Sequence, residues 1–131
     1  MSNEMLEKGR KIRTEVLGAE RVKRALDDAD DFNRDFQEFM TEYCWGRSWG
    51  RTGLERKQRS LLNLGMLAAL NRGPEFKLHF RAAIGNGLTL DELKDALIQI
   101  GVYCGIPASV EAHNLASEAL KEMKAEGITP T

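Results

Sequence analysis

Three groups of residues in this sequence have side-chain types and spacings that could carry out chemistry. The first is a basic and aromatic segment with Trp45, Arg47, Trp49 and Arg51, followed by Arg59. Arginine captures small carboxylates through paired hydrogen bonds, and tryptophan forms dry walls that strengthen such pairing. The same composition fits single-stranded nucleic acid, on which aromatic rings stack. It also fits a purely structural segment with core tryptophans and solvated arginines.

The second group is the pair Glu75 and His79. Residues four apart share one face of a helix, so these two side chains can touch. A neighbouring carboxylate raises the pKa of an imidazole and fixes its tautomer. The pair therefore predicts a histidine held ready to donate a proton near neutral pH. An ordinary surface ion pair has the same spacing and is the alternative.

The third group is the turn that contains Tyr103 and Cys104. A nucleophilic thiol is conceivable there, but burial as a small apolar side chain is the favoured role. The other cysteine, Cys44, is too distant in sequence for a CxxC motif, so we expect two reduced thiols. His113 has only Glu111 nearby as an acidic neighbour and is interpreted as a structural or surface residue. No metal site is predicted.

Helices must position these groups, because apolar residues recur at spacings of three and four almost throughout and no alternating segment is present. The fold class predicted is all-α, a compact bundle of about six or seven helices with short connections. On the third helix, a stripe of apolar residues is expected to pack into the core. The stripe consists of Phe32, Phe36, Phe39, Met40 and Tyr43.

Turn and capping residues divide the chain into these helices. Pro74 and Pro107 suit first turns, and Thr89 with Glu92 has the form of a capping box. Three glycines within 46–53 predict a loop. The predicted helices cover about 4–17, a short segment ending near 29, a third helix from about 31, then 54–71, 74–85, 89–104 and 107–126.

Length and charge limit the possible functions. The 131 residues suit a single domain, 1–131, with one core. The net charge of −1 provides no field to recruit polyanions, which argues against a nucleic-acid partner. No segment approaches the roughly eighteen apolar residues of a membrane span, and the N-terminus has no apolar signal core. A cytoplasmic protein with no membrane partner is therefore predicted.

Taken together, the motifs of this chain resemble the carboxymuconolactone decarboxylase family within the alkylhydroperoxidase D-like superfamily. The likeness runs from Tyr43 to Ser109, and the N-terminal helices and total length also fit. The chain departs from the usual family pattern at Gly50, Pro74 and His113. The motifs are Trp45-Gly-x-x-Trp49-x-Arg51-x-Gly53-Leu54 with Arg59-Ser60-Leu61, Glu75-x-x-x-His79, and Tyr103-Cys104-Gly105-x-Pro107.

The resemblance implies an activity, a substrate class and an assembly. It implies a cofactor-free carboxy-lyase of aromatic catabolism that converts 4-carboxymuconolactone, a small dicarboxylated lactone, to 3-oxoadipate enol-lactone. It also implies a homo-oligomer, commonly a hexamer. Redox members of the superfamily carry CxxC followed by histidine, whereas Arg72 and Glu75 occupy those cysteine positions here and His79 keeps the histidine. A thiol-dependent peroxidase or disulfide reductase is therefore the rival, beside a decarboxylase or lactone enzyme for a related acidic substrate.

The roles expected at such a site follow from the charge that moves during decarboxylation. An arginine on the departing carboxylate would stabilise the ground state and slow the reaction. The substrate's other carboxylate belongs to an acetate arm on the same ring carbon and is not lost. Arg51 and Arg59, with Arg47 nearby, are therefore expected to bind this acetate arm. His79, oriented by Glu75, would protonate the ring α-carbon. The predicted walls around the ring are Trp45, Trp49 and Tyr103.

Overall fold

The computed structural model describes residues 2–131, and in this range the backbone forms seven α-helices and one π-helix and contains no strand. The all-α prediction is confirmed. In chain order the helices are α1 (Ser2–Leu17), α2 (Ala19–Leu26), α3 (Arg34–Met40), the π-helix (Thr41–Ser48), α4 (Arg56–Ala69), α5 (Gly73–Gly85), α6 (Leu90–Cys104) and α7 (Ile106–Ala125). Every helix in this range is too short or too polar to cross a membrane.

Contacts along the chain group the helices into two compact units, one ending at Glu55 and the other running from Arg56 to Thr131. In the second unit, α4 to α7 surround a core centred on Leu64, Phe76 and Phe80. The α7 side of this core is built from alanines, because short side chains let helices approach closely. They are Ala112, Ala116 and Ala119.

Local sequence signals set the helix boundaries of the second unit. The Glu92 N–H donates to the Thr89 hydroxyl at 3.1 Å, and the Thr89 N–H donates to the Glu92 carboxylate at 2.9 Å. This is the predicted capping box, and it opens α6. Pro74 and Pro107 lie in the first turns of α5 and α7, as expected. Gly105 separates α6 from α7 with φ of 102°, a conformation that favours glycine.

Two cations on α5 bind acidic side chains of α7. Lys77 forms ion pairs with Glu118 and Glu122. Arg81 donates two hydrogen bonds of 2.8 Å to the carboxylate of Glu126. The two cations lie two residues before and two residues after position 79, so these ion pairs fix the part of α5 that carries the histidine.

In the first unit, α1 packs against the π-helix at very short range. A Cβ on Gly9 would lie 2.0 Å from the carbonyl oxygen of Thr41, and a Cβ on Gly46 would lie 2.9 Å from the carbonyl oxygen of Met5. Neither distance is possible for a real side chain. Glycine at both positions is therefore required for the two helices to lie this close.

Two predictions for the first unit were wrong. The loop predicted for 46–53 is helical up to Ser48, with π-helical bonding in which the Trp49 N–H donates to the Cys44 carbonyl at 3.0 Å. The aromatic stripe is not buried, since Phe32 and Phe36 are 97% and 60% exposed and Tyr43 is 63% exposed. Periodicity identifies an apolar face of a helix, but it does not identify what covers that face.

Candidate active site

The π-helix positions a pair of stacked tryptophans. Trp45 and Trp49 are only 3% and 7% exposed, and their ring centroids lie 4.9 Å apart with 28° between the planes. Residues four apart are nearly one turn apart in a π-helix, so the rings come face to face. The tryptophans are thus core residues of their unit.

The arginines of the predicted site differ in exposure. Arg47 lies in the π-helix and is exposed, and Arg51 follows that helix and is also exposed. The Arg51 N–H donates to the Ser48 carbonyl at 3.1 Å, which fixes the backbone where the π-helix ends. Arg59 lies in α4 of the second unit and is half-buried. That Arg51 and Arg59 serve one substrate stays a prediction.

The pair on α5 is positioned as predicted, but its electrostatics differ. His79 is half-buried, and exposed Glu75 lies one turn before it. Burial lowers the pKa of the His79 imidazole from its usual 6.5, and the opposing effect of the Glu75 carboxylate is smaller. The expectation of a raised imidazole pKa was therefore wrong, because desolvation of the charged ring outweighs the nearby negative charge.

The aromatic side chain and thiol at the end of α6 are both solvent-accessible. Tyr103 is 82% exposed, and the neighbouring Cys104 is exposed as well. The prediction that Cys104 is buried was wrong, since the last turn of α6 presents it to solvent. Cys44 is half-buried in the first unit, and burial raises the pKa of its thiol despite the nearby charge of Arg13. A raised pKa makes Cys44 a weak nucleophile.

The second histidine has a structural environment. His113 Nδ1 lies 2.7 Å from the backbone oxygen of Ser109, and the Ser109 hydroxyl donates to the Leu97 carbonyl at 2.7 Å. The Ser109 bond ties α7 to α6, whereas the contact of His113 stays within α7, in agreement with the predicted structural or surface role. Within residues 2–131, no group of three or more histidine, cysteine, aspartate or glutamate residues is arranged to hold a metal ion.

One residue near the candidate site was missed at the level of sequence. Arg13 of α1 is 6% exposed, and its Nη1 donates to Gln37 Oε1 at 3.1 Å and to Thr41 Oγ1 at 3.0 Å. The available signal was its position beside the apolar residues Ile12 and Val16, where a solvated arginine is not expected.

Comparisons with known proteins identify the family of this chain. Residues 34–118 match the Carboxymuconolactone decarboxylase family. The chain is 44% identical over 122 residues to a 4-carboxymuconolactone decarboxylase of Acinetobacter baylyi, covering 93% of this chain and 89% of that protein. It is 42% identical over 123 residues to a nitrosuccinic acid decarboxylase of Metarhizium robertsii, covering 94% and 86%. An uncharacterized 15.0 kDa protein of Paracoccus denitrificans is 28% identical over 85 residues, covering 63% of each chain. On this evidence, the chain belongs to the carboxymuconolactone decarboxylase family.

Proposed function

We propose that this chain is a cytoplasmic carboxy-lyase that converts 4-carboxymuconolactone to 3-oxoadipate enol-lactone without a cofactor. The observation that carries this proposal is the 44% identity to a 4-carboxymuconolactone decarboxylase over 93% of the chain. The motif residues of both units support it, because they include cations for a carboxylate and a histidine for proton transfer.

The substrate itself accepts the electrons released by decarboxylation. The carboxylate on the γ-carbon leaves as carbon dioxide, and the electron pair of the broken C–C bond moves through the ring alkene onto the lactone carbonyl oxygen. The resulting dienolate takes one proton at the α-carbon and becomes the enol-lactone. The protein must hold the ring, stabilise the oxyanion and deliver that proton.

We assign proton delivery to His79 and its electrostatic support to Glu75. The lowered pKa of His79 is suited to this task only when an anion is bound, because a dianionic substrate near the ring stabilises the imidazolium. Substrate binding would then be accompanied by proton uptake, and the same proton would pass to the α-carbon after carbon dioxide has left. The acid is thus charged when the substrate is present.

We assign substrate binding to the arginines and aromatic side chains of the family motifs. Arg51 and Arg59, with Arg47 beside them in the motif, would hold the acetate arm, which keeps its charge throughout the reaction. The edges of Trp45 and Trp49, together with Tyr103, would enclose the ring. Anchoring the unreactive arm leaves the departing carboxylate free to lose its charge.

Release of carbon dioxide from 4-carboxymuconolactone in the presence of a metal chelator tests this function. We expect turnover by the purified chain, and we expect His79→Gln to abolish most of it while substrate binding persists. A wild-type chain that folds but releases no carbon dioxide would contradict the proposal. Activity that disappears on chelation would contradict its cofactor-free part.

Nitrosuccinate is a second candidate substrate, favoured by the 42% identity to a nitrosuccinic acid decarboxylase. In that compound the departing carboxylate and an acetate arm also share one carbon, and a nitro group accepts the electron pair to form a nitronate. His79 would again donate the proton, and the arginines would again bind the acetate arm. Comparing kcat/KM for the two acids decides which is the better substrate. A thiol peroxidase is disfavoured, since the two relatives that cover most of this chain are named decarboxylases.

We also propose that the chain forms a homo-oligomer, a hexamer by family resemblance. Its support is an exposed apolar surface on the second unit, which we call the α6–α7 face. Patches of this kind on a folded protein mark interaction sites. Five side chains that are each more than half exposed make up this face, namely Ile98, Val102, Tyr103, Ile106 and Val110.

Light scattering after size-exclusion chromatography tests the assembly. The wild-type chain should have a mass several times that of one chain. Val102→Glu combined with Ile106→Glu should shift it towards the monomer, whereas Lys121→Glu on an exposed polar position should not. A monomeric wild-type chain at micromolar concentration would contradict the proposed oligomer.

A further inference from the structure

Arg13 is a buried cation whose side-chain hydrogen bonds go to neutral groups. Its Nη1 donates to the amide oxygen of Gln37 and to the hydroxyl of Thr41, which is itself completely buried. The Thr41 hydroxyl in turn donates to the Gln37 carbonyl at 2.6 Å. Burying a guanidinium is costly even with hydrogen bonds, and an apolar side chain of similar volume often stabilises a core as well or better. Its presence calls for a reason other than core packing.

These hydrogen bonds lie where the helix winding changes. Thr41 is the first residue of the π-helix, and its N–H is shared between the carbonyls of Gln37 and Glu38. At the other end of the π-helix, the backbone hydrogen bond joins residues five apart, since the Trp49 N–H donates to the Cys44 carbonyl. π-Helices are rare and occur mostly as single turns within α-helices, frequently at functional sites, so this winding needs specific support.

The winding of this segment determines where the following side chains point. One residue turns an α-helix by about 100°, so relaxing residues 41–48 to α-helical winding would redirect everything after them by a similar angle. The affected side chains include Trp45, Trp49 and Arg51. On the other side, the backbone oxygen of Thr41 is covered by Gly9 of α1, so α1 holds Thr41 through both its side chain and its carbonyl.

We propose that Arg13 is a positioning residue that selects the π-helical winding of residues 41–48 by binding Thr41 and Gln37. It thereby sets the stacking of the two tryptophans and the direction of Arg51. The consequence for substrate binding rests on the function proposed above, whereas the consequence for the tryptophan pair does not. Arg13 acts through these residues and has no assigned contact with substrate.

The tryptophan pair provides a readout that needs no substrate. The sequence contains only two tryptophans, and they are the stacked pair, so an exciton couplet in circular dichroism reports on this geometry alone. We expect Arg13→Met and Thr41→Val to lose most of the couplet at unchanged helical content. Thr41→Ser, which keeps the hydroxyl, should retain it.

A matched control lies on the same helix. Arg10 of α1 forms an exposed, two-point ion pair with Asp27 at 2.8 Å, so Arg10→Met removes an arginine and its partner bonds without touching the π-helix. Its couplet should equal that of the wild type. An unchanged couplet in folded Arg13→Met and Thr41→Val, or an equal loss in Arg10→Met, would overturn the proposal. If Arg13→Met does not fold, Thr41→Val and the milder Gln37→Met decide the question.

Kinetics then test the link to Arg51. Misplacing a binding group by about 1 Å can cost up to about a hundredfold in rate. We expect KM for 4-carboxymuconolactone to rise about tenfold in Arg13→Met with little change in kcat, and Arg13→Lys to recover part of the loss. An unchanged KM with a lost couplet would overturn the link to Arg51. An inactive wild-type chain would instead contradict the proposed function and leave the couplet result valid.

Discussion

The unit from Arg56 to Thr131 begins its helices with local signals, whereas the unit ending at Glu55 depends on contacts between distant parts of the chain. In the former, the capping box of Thr89 and Glu92 and the prolines of α5 and α7 act within a few residues. In the latter, the π-helix lies against Gly9 and is hydrogen-bonded by Arg13, both more than twenty residues earlier. Local signals can be recognised in a sequence, but contacts between distant residues cannot.

This comparison extends to the proposed chemistry. His79 lies on a regular helix that ion pairs attach to α7, so its position should tolerate changes elsewhere. Arg51 follows a helix of unusual winding, so its position should be sensitive to α1. We therefore expect changes around His79 on α5 to affect proton transfer, and changes around the π-helix to affect stability and the binding that depends on Arg51.

The largest effect is expected from His79→Gln. Loss of a general acid typically costs about a hundredfold to ten-thousandfold, so kcat should fall by about that range while KM changes little. Steady-state kinetics of carbon dioxide release measure both parameters. A folded variant with nearly normal kcat would remove His79 from proton transfer.

Gly9→Ala should destabilise the chain by about 3 kcal/mol, the upper range for overpacking, because the added methyl would lie 2.0 Å from a backbone oxygen. Gly65→Ala in α4 is the matched control, since an added methyl there meets nothing within 4 Å. The control should stabilise the chain by up to about 1 kcal/mol through helix propensity. Urea midpoints of both variants measure the difference, and similar midpoints would contradict the close packing of α1.

Arg51→Ala should raise KM by about tenfold or more, since a hydrogen bond to a charged group contributes about 1.5–3 kcal/mol. Its kcat should change much less, because the acetate arm does not react. Arg24→Ala, which removes an exposed arginine paired with Glu20, is the control and should leave KM unchanged. A selective fall in kcat for Arg51→Ala would instead place Arg51 near the reacting atoms.

The smallest effect is expected from Glu75→Gln and concerns pH. If protonated His79 is required, kcat/KM falls as the pH rises through its lowered pKa, with a midpoint below 6.5. Glu75 raises that pKa, so Glu75→Gln should move the midpoint to lower pH. Asp95→Asn, at an exposed position of α6, should not move it. A shift to higher pH in Glu75→Gln would contradict the assigned role of Glu75.

Much of this molecule could be predicted from residue patterns, and the limits are physical. The all-α class follows from periodicity, and the start of α6 follows from Thr89 and Glu92. The π-helix could not be predicted, because the residues of α1 that contact it, Gly9 and Arg13, are distant in sequence. The exposure of Phe36 was missed because an apolar stripe looks the same whether the same chain or another molecule covers it.

Family motifs identified the candidate residues, but their environment required the structure. The spacing of Glu75 and His79 correctly placed them one turn apart on α5. It could not give the direction of the His79 pKa shift, which depends on how much of the imidazole is removed from water. Spacing could not reveal Arg13 either, because its hydrogen-bond partners Gln37 and Thr41 lie in other helices.

The π-helix also has an evolutionary consequence. A π-helical hydrogen bond joins residues five apart, whereas an α-helical bond joins residues four apart, so loss of one residue within a π-helical turn would leave the spacing of an α-helix. A relative that lacks a residue between 41 and 48 could therefore keep the same helices and core yet present a different set of side chains after position 48. Substrate preference within such a lineage could change by length variation at one place, without replacement of any reacting group.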